Sequence, residues 1–186
     1  MHAVIWRRLD SPGYEWSQLR IAPLGPELSG TALFVHDDQP CRLTYSVSCD
    51  PDWVTRSAHV AGSVGEVMVD VHVRRLADGT WSLNHTVVPG VAGALDVDLA
   101  FSPSTNTLPI RRLAPRIGES ADVRAAWVTF PDFTLDPLDQ RYSRTAQGIW
   151  HYESRGGAFT RDLVVDEEGV VVEYPGLWHR EAVSAQ

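Results

Sequence analysis

Arg56, in the segment DWVTRSAHVAG, is the residue whose setting most invites chemistry. Read as a strand, the segment puts Val54, Arg56, Ala58 and Val60 on one face and Trp53, Thr55, Ser57 and His59 on the other. A guanidinium on an apolar face must be paired, because an isolated buried charge is strongly unfavourable. Two partners stay open. One is an inward carboxylate such as Asp96 or Asp98, giving a structural ion pair. The other is a bound carboxylate, phosphate or sugar hydroxyl gripped by the planar fork. Arg111 and Arg112 pose the same choice, since on a helix they point about 100° apart and an enclosed helix cannot send both to solvent. Either one meets an acid while the other reaches the surface, or one joins Arg56 at the polar end of a cavity. Tyr174 and Trp178, in YPGLW, offer aromatic platforms for sugar rings or acyl chains, or a corner that locks the chain end.

Signals of catalysis are sparse. The chain has no GxSxG elbow, no phosphate-binding P-loop and no dinucleotide glycine pattern. Its seven histidines show no HxH, HExxH or HxxxH spacing, so neither a metal site nor a cofactor is expected. All sixteen basic residues are arginine, which removes lysine Schiff-base chemistry. Asp96 and Asp98 lie two apart on one strand face, where paired aspartates ordinarily serve solubility; glycosidase carboxyls would have to flank a substrate. Asp166–Glu167–Glu168 reads as a solvated turn.

The elements that must position these groups are mostly strands. Leu43, Tyr45, Val47 and Cys49 alternate with polar residues, as do Val67, Val69, Val71 and Val73, and then Leu95, Val97, Leu99 and Phe101. Each is the period-2 signature of a strand with one dry face. Asp78–Gly79 marks a hairpin, and Glu168–Gly169 a second, weaker one. The exception is SPSTNTLPIRRLAP, Ser102 to Pro115. A helix is expected near residues 105–114, capped by a side-chain oxygen of Thr105 or Asn106. Pro109 is tolerable there only in the first turn, and Pro115 stops the helix near Ala114. Leu108, Ile110 and Leu113 spread round more than one face, which suits a helix enclosed by protein. A lone short helix in a β-rich chain points to a sheet curled around a plug.

The chain's 186 residues form one domain's worth, without linker or repeat, and its seven tryptophans can fill a wide core or line a pocket. A net charge of −8 argues against nucleic acid or an anionic membrane surface as a general partner. No apolar run reaches the roughly 18 residues of a membrane span, and the first residues lack the order of a signal peptide. A cytoplasmic setting is the expectation. Cys41 and Cys49 fall on one strand, about 26 Å apart at a strand's rise, so both are expected as free thiols.

Five segments taken together carry a resemblance: LTYSVSCDPDWVTRSAHV, LDVDLAFSPSTNTLPIRRL, VRAAWVTFPDF, LDQRYSR and VVVEYPGLWHR. In this order, over essentially the whole chain, they resemble the bacterial family described as "putative glycolipid-binding", formerly a domain of unknown function. TNTLPIRRL with YPGLW is the most specific part. The resemblance implies a mainly β fold, a spiral β-roll in which an antiparallel sheet of about fifteen strands wraps a single helix. It also implies a homodimer and a shape like the lipoprotein-localisation carriers, which hold acyl chains in a half-barrel. Those carriers often need a signal peptide and a lipidated cysteine, which are not found here, leaving a cytoplasmic role.

The resulting expectation is a non-enzymatic binder of a glycolipid or similar amphipathic lipid. Acyl chains would lie between sheet and helix against Tyr45, Trp127 and Leu108. The head group would meet Arg56, Arg111 or Arg112, with Asn106 and Tyr174 as hydrogen-bond partners and Trp178 nearby. Two rivals remain: a structural homodimer with a filled interior, and an enzyme acting on a sugar or lipid through an inward aspartate.

Overall fold

Alternating apolar residues on short, turn-punctuated segments leave each strand one face to bury, and successive hairpins line those faces up. The structure is a computed structural model that describes residues 2–184. Its strands are His2–Arg8 (β1), Gly13–Ala22 (β2), Gly25–His36 (β3), Gln39–Cys49 (β4), Thr55–Val64 (β5), Val67–Arg75 (β6), Trp81–Leu83 (β7) and Thr86–Val87 (β8). Then come Asp96–Leu99 (β9), the helix Thr107–Leu113 (α1), Ser120–Val128 (β10), Leu135–Ala146 (β11) and Ile149–Ser154 (β12). Phe159–Val165 (β13), Val171–Tyr174 (β14) and Trp178–Val183 (β15) complete the chain. Among the described residues the fifteen strands form one sheet, in the order β8-β7-β6-β5-β4-β3-β2-β1-β15-β14-β13-β12-β11-β10-β9. Among the described residues the fold is mainly β with one short α-helix, as the sequence implies.

Two meanders are thus joined through β1 and β15, and every pairing is antiparallel except β9 with β10. That parallel pair requires a crossover, and the crossover contains α1. The sheet curls far enough for its β9 edge to meet β5. Thr55 donates its backbone N–H to Leu95 O at 2.9 Å, and the Val97 N–H donates to Thr55 Oγ1 at 3.1 Å. These contacts pair an edge that would otherwise be open.

The helix plugs the roll. Thr107, Leu108, Pro109 and Ile110 are all buried, Leu108 completely. A 3-10 turn at Ser104–Asn106 leads in, and Ala114 closes the helix in the left-handed region at φ 38°. The expected side-chain cap does not form. Thr105 Oγ1 instead accepts from the Leu99 N–H at 3.2 Å, and Asn106 Oδ1 accepts from the Tyr142 hydroxyl at 2.9 Å. Both oxygens are buried among competing donors, and the preceding 3-10 turn supplies backbone partners for the first helical N–H groups. Pro109 sits in the first turn, where its missing N–H costs nothing.

The face assignment of Arg56 is corrected. A β-bulge falls where Cys49 pairs with Thr55 and Ser48 with Ser57, so Arg56 is the extra residue. Thr55 turns inward, and Arg56 is exposed with one hydrogen bond, Nη1 to Leu24 O at 3.2 Å. Asp96 and Asp98 are corrected too: Asp96 is 1% exposed, not solvated. On the polar side of β9, Asp96 meets the helix through Arg112 while Asp98 is half-buried against Gln140, and Val97 and Leu99 are buried on the other side.

Candidate functional site

The aromatic segments end on a common cleft of about 300 Å³ at the start of the helix. Trp127 comes from β10, Tyr152 from β12, Phe159 from β13, and Tyr174 and Trp178 from the two sides of the PGL turn. The Tyr152 ring meets its neighbours edge to face. Centroids lie 6.0 Å apart for Tyr152–Phe159, 6.1 Å for Tyr152–Tyr174 and 5.1 Å for Tyr152 with the deeper Tyr142. Such contacts fix ring orientation as well as adding burial. Pro103 and Asn106 close the cleft from the helix side, and the Arg155 guanidinium lies 5.1 Å above the centre of Trp127 at the rim.

Asp98 supplies the charged group. Parallel register places it opposite Trp127. Gln140 Nε2 donates to Asp98 Oδ2 at 2.7 Å and lies 3.1 Å from the Tyr152 hydroxyl oxygen. Burial pushes the Asp98 carboxyl up to about 6; the hydrogen bond from Gln140 pulls it down, and the charge of Asp96 raises it further. Burial likewise raises the Tyr152 and Tyr174 phenols, so both stay protonated and able to donate. The arrangement is an aromatic-walled slot lined by an acid and two phenols, with the buried Gln140 amide holding the acid. It can stack on a flat or ring-shaped ligand and hydrogen-bond its hydroxyls.

Four of the eight sequence-nominated residues meet here: Asn106, Trp127, Tyr174 and Trp178. The other four do not. Tyr45 is buried in the core, where its hydroxyl donates to Glu15 Oε1 at 2.6 Å, with Ser17 Oγ at 2.9 Å. Glu15 is fully buried, Ser102 also donates to its Oε1 at 2.6 Å, and burial pushes the carboxyl up to about 7. Arg112 holds Asp96. Arg111 lies at the far end of the helix, stacked 5.1 Å from the Trp53 ring centre and 3.9 Å from a Glu168 oxygen. Arg56 is on the outer side of the sheet. Sequence reasoning missed Gln140, Tyr152, Phe159 and Arg155, and placed Asp98 on a wet face. The alternation of Trp150 and Tyr152 in IWHYES was a usable signal for inward aromatics, but only the crossover reveals which of them face Asp98.

Two other hollows are larger. One of about 700 Å³ lies at the far end of α1, but Arg111 and Arg144 beside it are engaged; Arg144 Nη1 donates to Pro115 O at 3.2 Å. The second, of about 560 Å³, runs over exposed ion pairs, Arg124–Asp139 at 2.7 Å and Arg141–Asp122 at 3.1 Å, without aromatic walls. Of the residues expected to meet acyl chains between sheet and helix, Tyr45 and Leu108 are buried in the core, and the hollow lined by Ser17 and Thr107 measures only about 10 Å³.

The family model described as "putative glycolipid-binding" matches residues 3–180. The chain belongs to this family. A crystal structure of a DUF1089 family protein from Pseudomonas aeruginosa is similar to it, with 31% sequence identity, coverage of 89% of this chain and 91% of that one, and a TM-score of 0.79. No curated protein matches. The matched residues 3–180 include every residue that lines the cleft. Among the described residues no helix is long and apolar enough to cross a membrane.

Proposed function

We propose that the protein is a non-enzymatic binder of a glycolipid, recognised by its sugar head group in the Trp127–Tyr174–Trp178 cleft. The observation that carries this reading is the gathering of five aromatic side chains and Asp98 around one cleft. Aromatic faces suit the C–H surface of a pyranose, while Asp98 and the two phenols supply an acceptor and donors for its hydroxyls. A volume of about 300 Å³ is at the low end for ligand sites, which favours a head group over paired acyl chains. The family's description supports the ligand class.

The test is a tryptophan-fluorescence titration with octyl glucoside, octyl galactoside and octyl mannoside below their micellar concentrations, against octanol as control. Saturable binding of at least one glycoside but not octanol is expected, and equal binding of octanol would overturn the head-group reading. A second reading, an enzyme acting on a sugar, is favoured by the raised pKa of Asp98. Turnover of an aryl glycoside that Asp98→Asn abolishes would select it.

The homodimer belongs to the same reading. Ile5 pairs with Trp16 and Tyr14 with Leu33 across β1–β3, on the outer face, and these four are 39–53% exposed. Such a patch suits a second copy. Sedimentation of the native chain as a dimer and of Trp16→Glu as a monomer is expected. A cytoplasmic setting accords with the two buried free thiols, Cys41 and Cys49.

A further inference from the structure

We infer that His59, Asp70 and His72 form a divalent-metal site on the outer face of the β5–β6 hairpin. His59 and His72 are directly opposed in the antiparallel register, and Asp70, opposite Ala61, sits diagonally from His59. All three side chains point away from the core that Val60, Val71 and Val73 enter. One donor atom from each lies within 4.8 Å of the others. His59 Nε2 is 2.7 Å from Asp70 Oδ1, and His72 Nε2 is 3.4 Å from the same oxygen. A four-coordinate ion with bonds of about 2.0–2.1 Å needs its donors roughly 3.3 Å apart, which the three exposed or half-exposed side chains reach by rotations that splay the two rings from their stack.

The imidazoles are already held side by side, 4.1 Å between centroids and 6° from parallel. The backbone beneath them is fixed. The His72 N–H donates to Asn84 Oδ1 at 2.8 Å, the Asn84 N–H donates back to His72 O at 2.8 Å, and β4 pairs Ser46 with His59. Two imidazoles and one carboxylate select borderline divalent ions such as Zn²⁺, Co²⁺ or Ni²⁺ over Ca²⁺ or Mg²⁺. Three protein donors leave at least one position for water or an outside ligand. The bound ion clips β5 to β6 across the hairpin. Spacing motifs along one strand cannot reveal the site, because its two histidines come from neighbouring strands.

The His151–Asp162 pair supplies an internal control. Its Nδ1–Oδ1 distance is also 2.7 Å on an exposed antiparallel pair, but it has one imidazole. The experiment is calorimetric titration of the untagged full chain with ZnCl₂, together with the d–d absorption of added Co²⁺. The wild type should bind one ion per chain. His59→Ala and His72→Gln should each weaken binding at least tenfold, Asp70→Asn less, and His151→Ala not at all. Circular dichroism of each variant should be unchanged, since all four side chains are exposed or half-exposed. Absence of saturable binding in the wild type, or equal binding by a His59→Ala/His72→Ala double variant, would overturn the assignment.

Discussion

Arg112 and Asp96 form a two-point ion pair that fastens the helix to β9, Nε to Oδ1 at 3.2 Å and Nη2 to Oδ2 at 2.5 Å. The Asp96 side chain is 1% exposed and that of Arg112 14%. An arginine that looked available for a head group is therefore committed to holding the plug in its roll. Removing it leaves a buried carboxylate alone. Arg112→Ala should cost about 3–5 kcal/mol in urea unfolding, while glycoside affinity of the remaining folded protein stays the same. A loss of affinity with unchanged stability would assign Arg112 to the ligand instead.

Glu15 should give the protein an unusual pH dependence. Its carboxyl titrates near its ordinary value of 4.5 when unfolded and at about 7 when folded. Between these values the native state holds the extra proton, so stability falls as pH rises and the loss is complete above about 7. Full burial lets the effect reach about 3 kcal/mol. Glu15→Gln should flatten that part of the profile and exceed the wild type in stability at pH 8. Denaturation at pH 5 and pH 8 measures both, and parallel profiles for the two proteins would refute the assignment.

Gly30 matters to the same cluster through contact. It stands opposite Tyr45 in the β3–β4 register, and the tyrosine ring lies across it. A Cβ added there would come within 2.6 Å of Tyr45 Cε1. Gly30→Ala should push the ring aside, loosen its bond to Glu15 and destabilise the fold by about 1–3 kcal/mol. Thermal unfolding compared with Gly90→Ala, whose Cβ meets nothing within 4 Å, is the measure.

Much of the scaffold was legible because it rests on local chemistry. The alternation around Val47 and Val71, the Asp78–Gly79 turn and the Pro109–Pro115 bracket each act within a few residues, and each appears where expected. Non-local events were not legible. The bulge at Ser48/Cys49 turns Arg56 outward, although Arg56 itself lies within β5. The parallel β9–β10 pairing places Asp98 opposite Trp127 and covers a face whose aspartates suggested water. Resemblance supplied the strand number, which alternation alone does not fix.

Arg56 gives a simple control. Exposed, with one hydrogen bond to Leu24 O, it should tolerate Arg56→Ala with a change within about 0.5 kcal/mol and no effect on glycoside affinity. A large loss of affinity would return it to the site.

Asp98 should make binding pH-dependent. With its carboxyl at about 6, the charged acceptor is present above that pH and lost below it. Wild-type affinity should therefore fall on acidification through pH 6, and that of Asp98→Asn should not change there. Fluorescence titrations at pH 5, 6 and 7.5 provide the comparison.

The most direct measurement is native mass spectrometry of the protein after incubation with a total lipid extract, beside Trp127→Ala. The head-group account predicts a glycolipid bound at one per chain by the wild type, with occupancy reduced about tenfold, or ~1.4 kcal/mol, in the variant. A wild-type protein that emerges empty, or a variant that keeps the same lipid at the same occupancy, would contradict it.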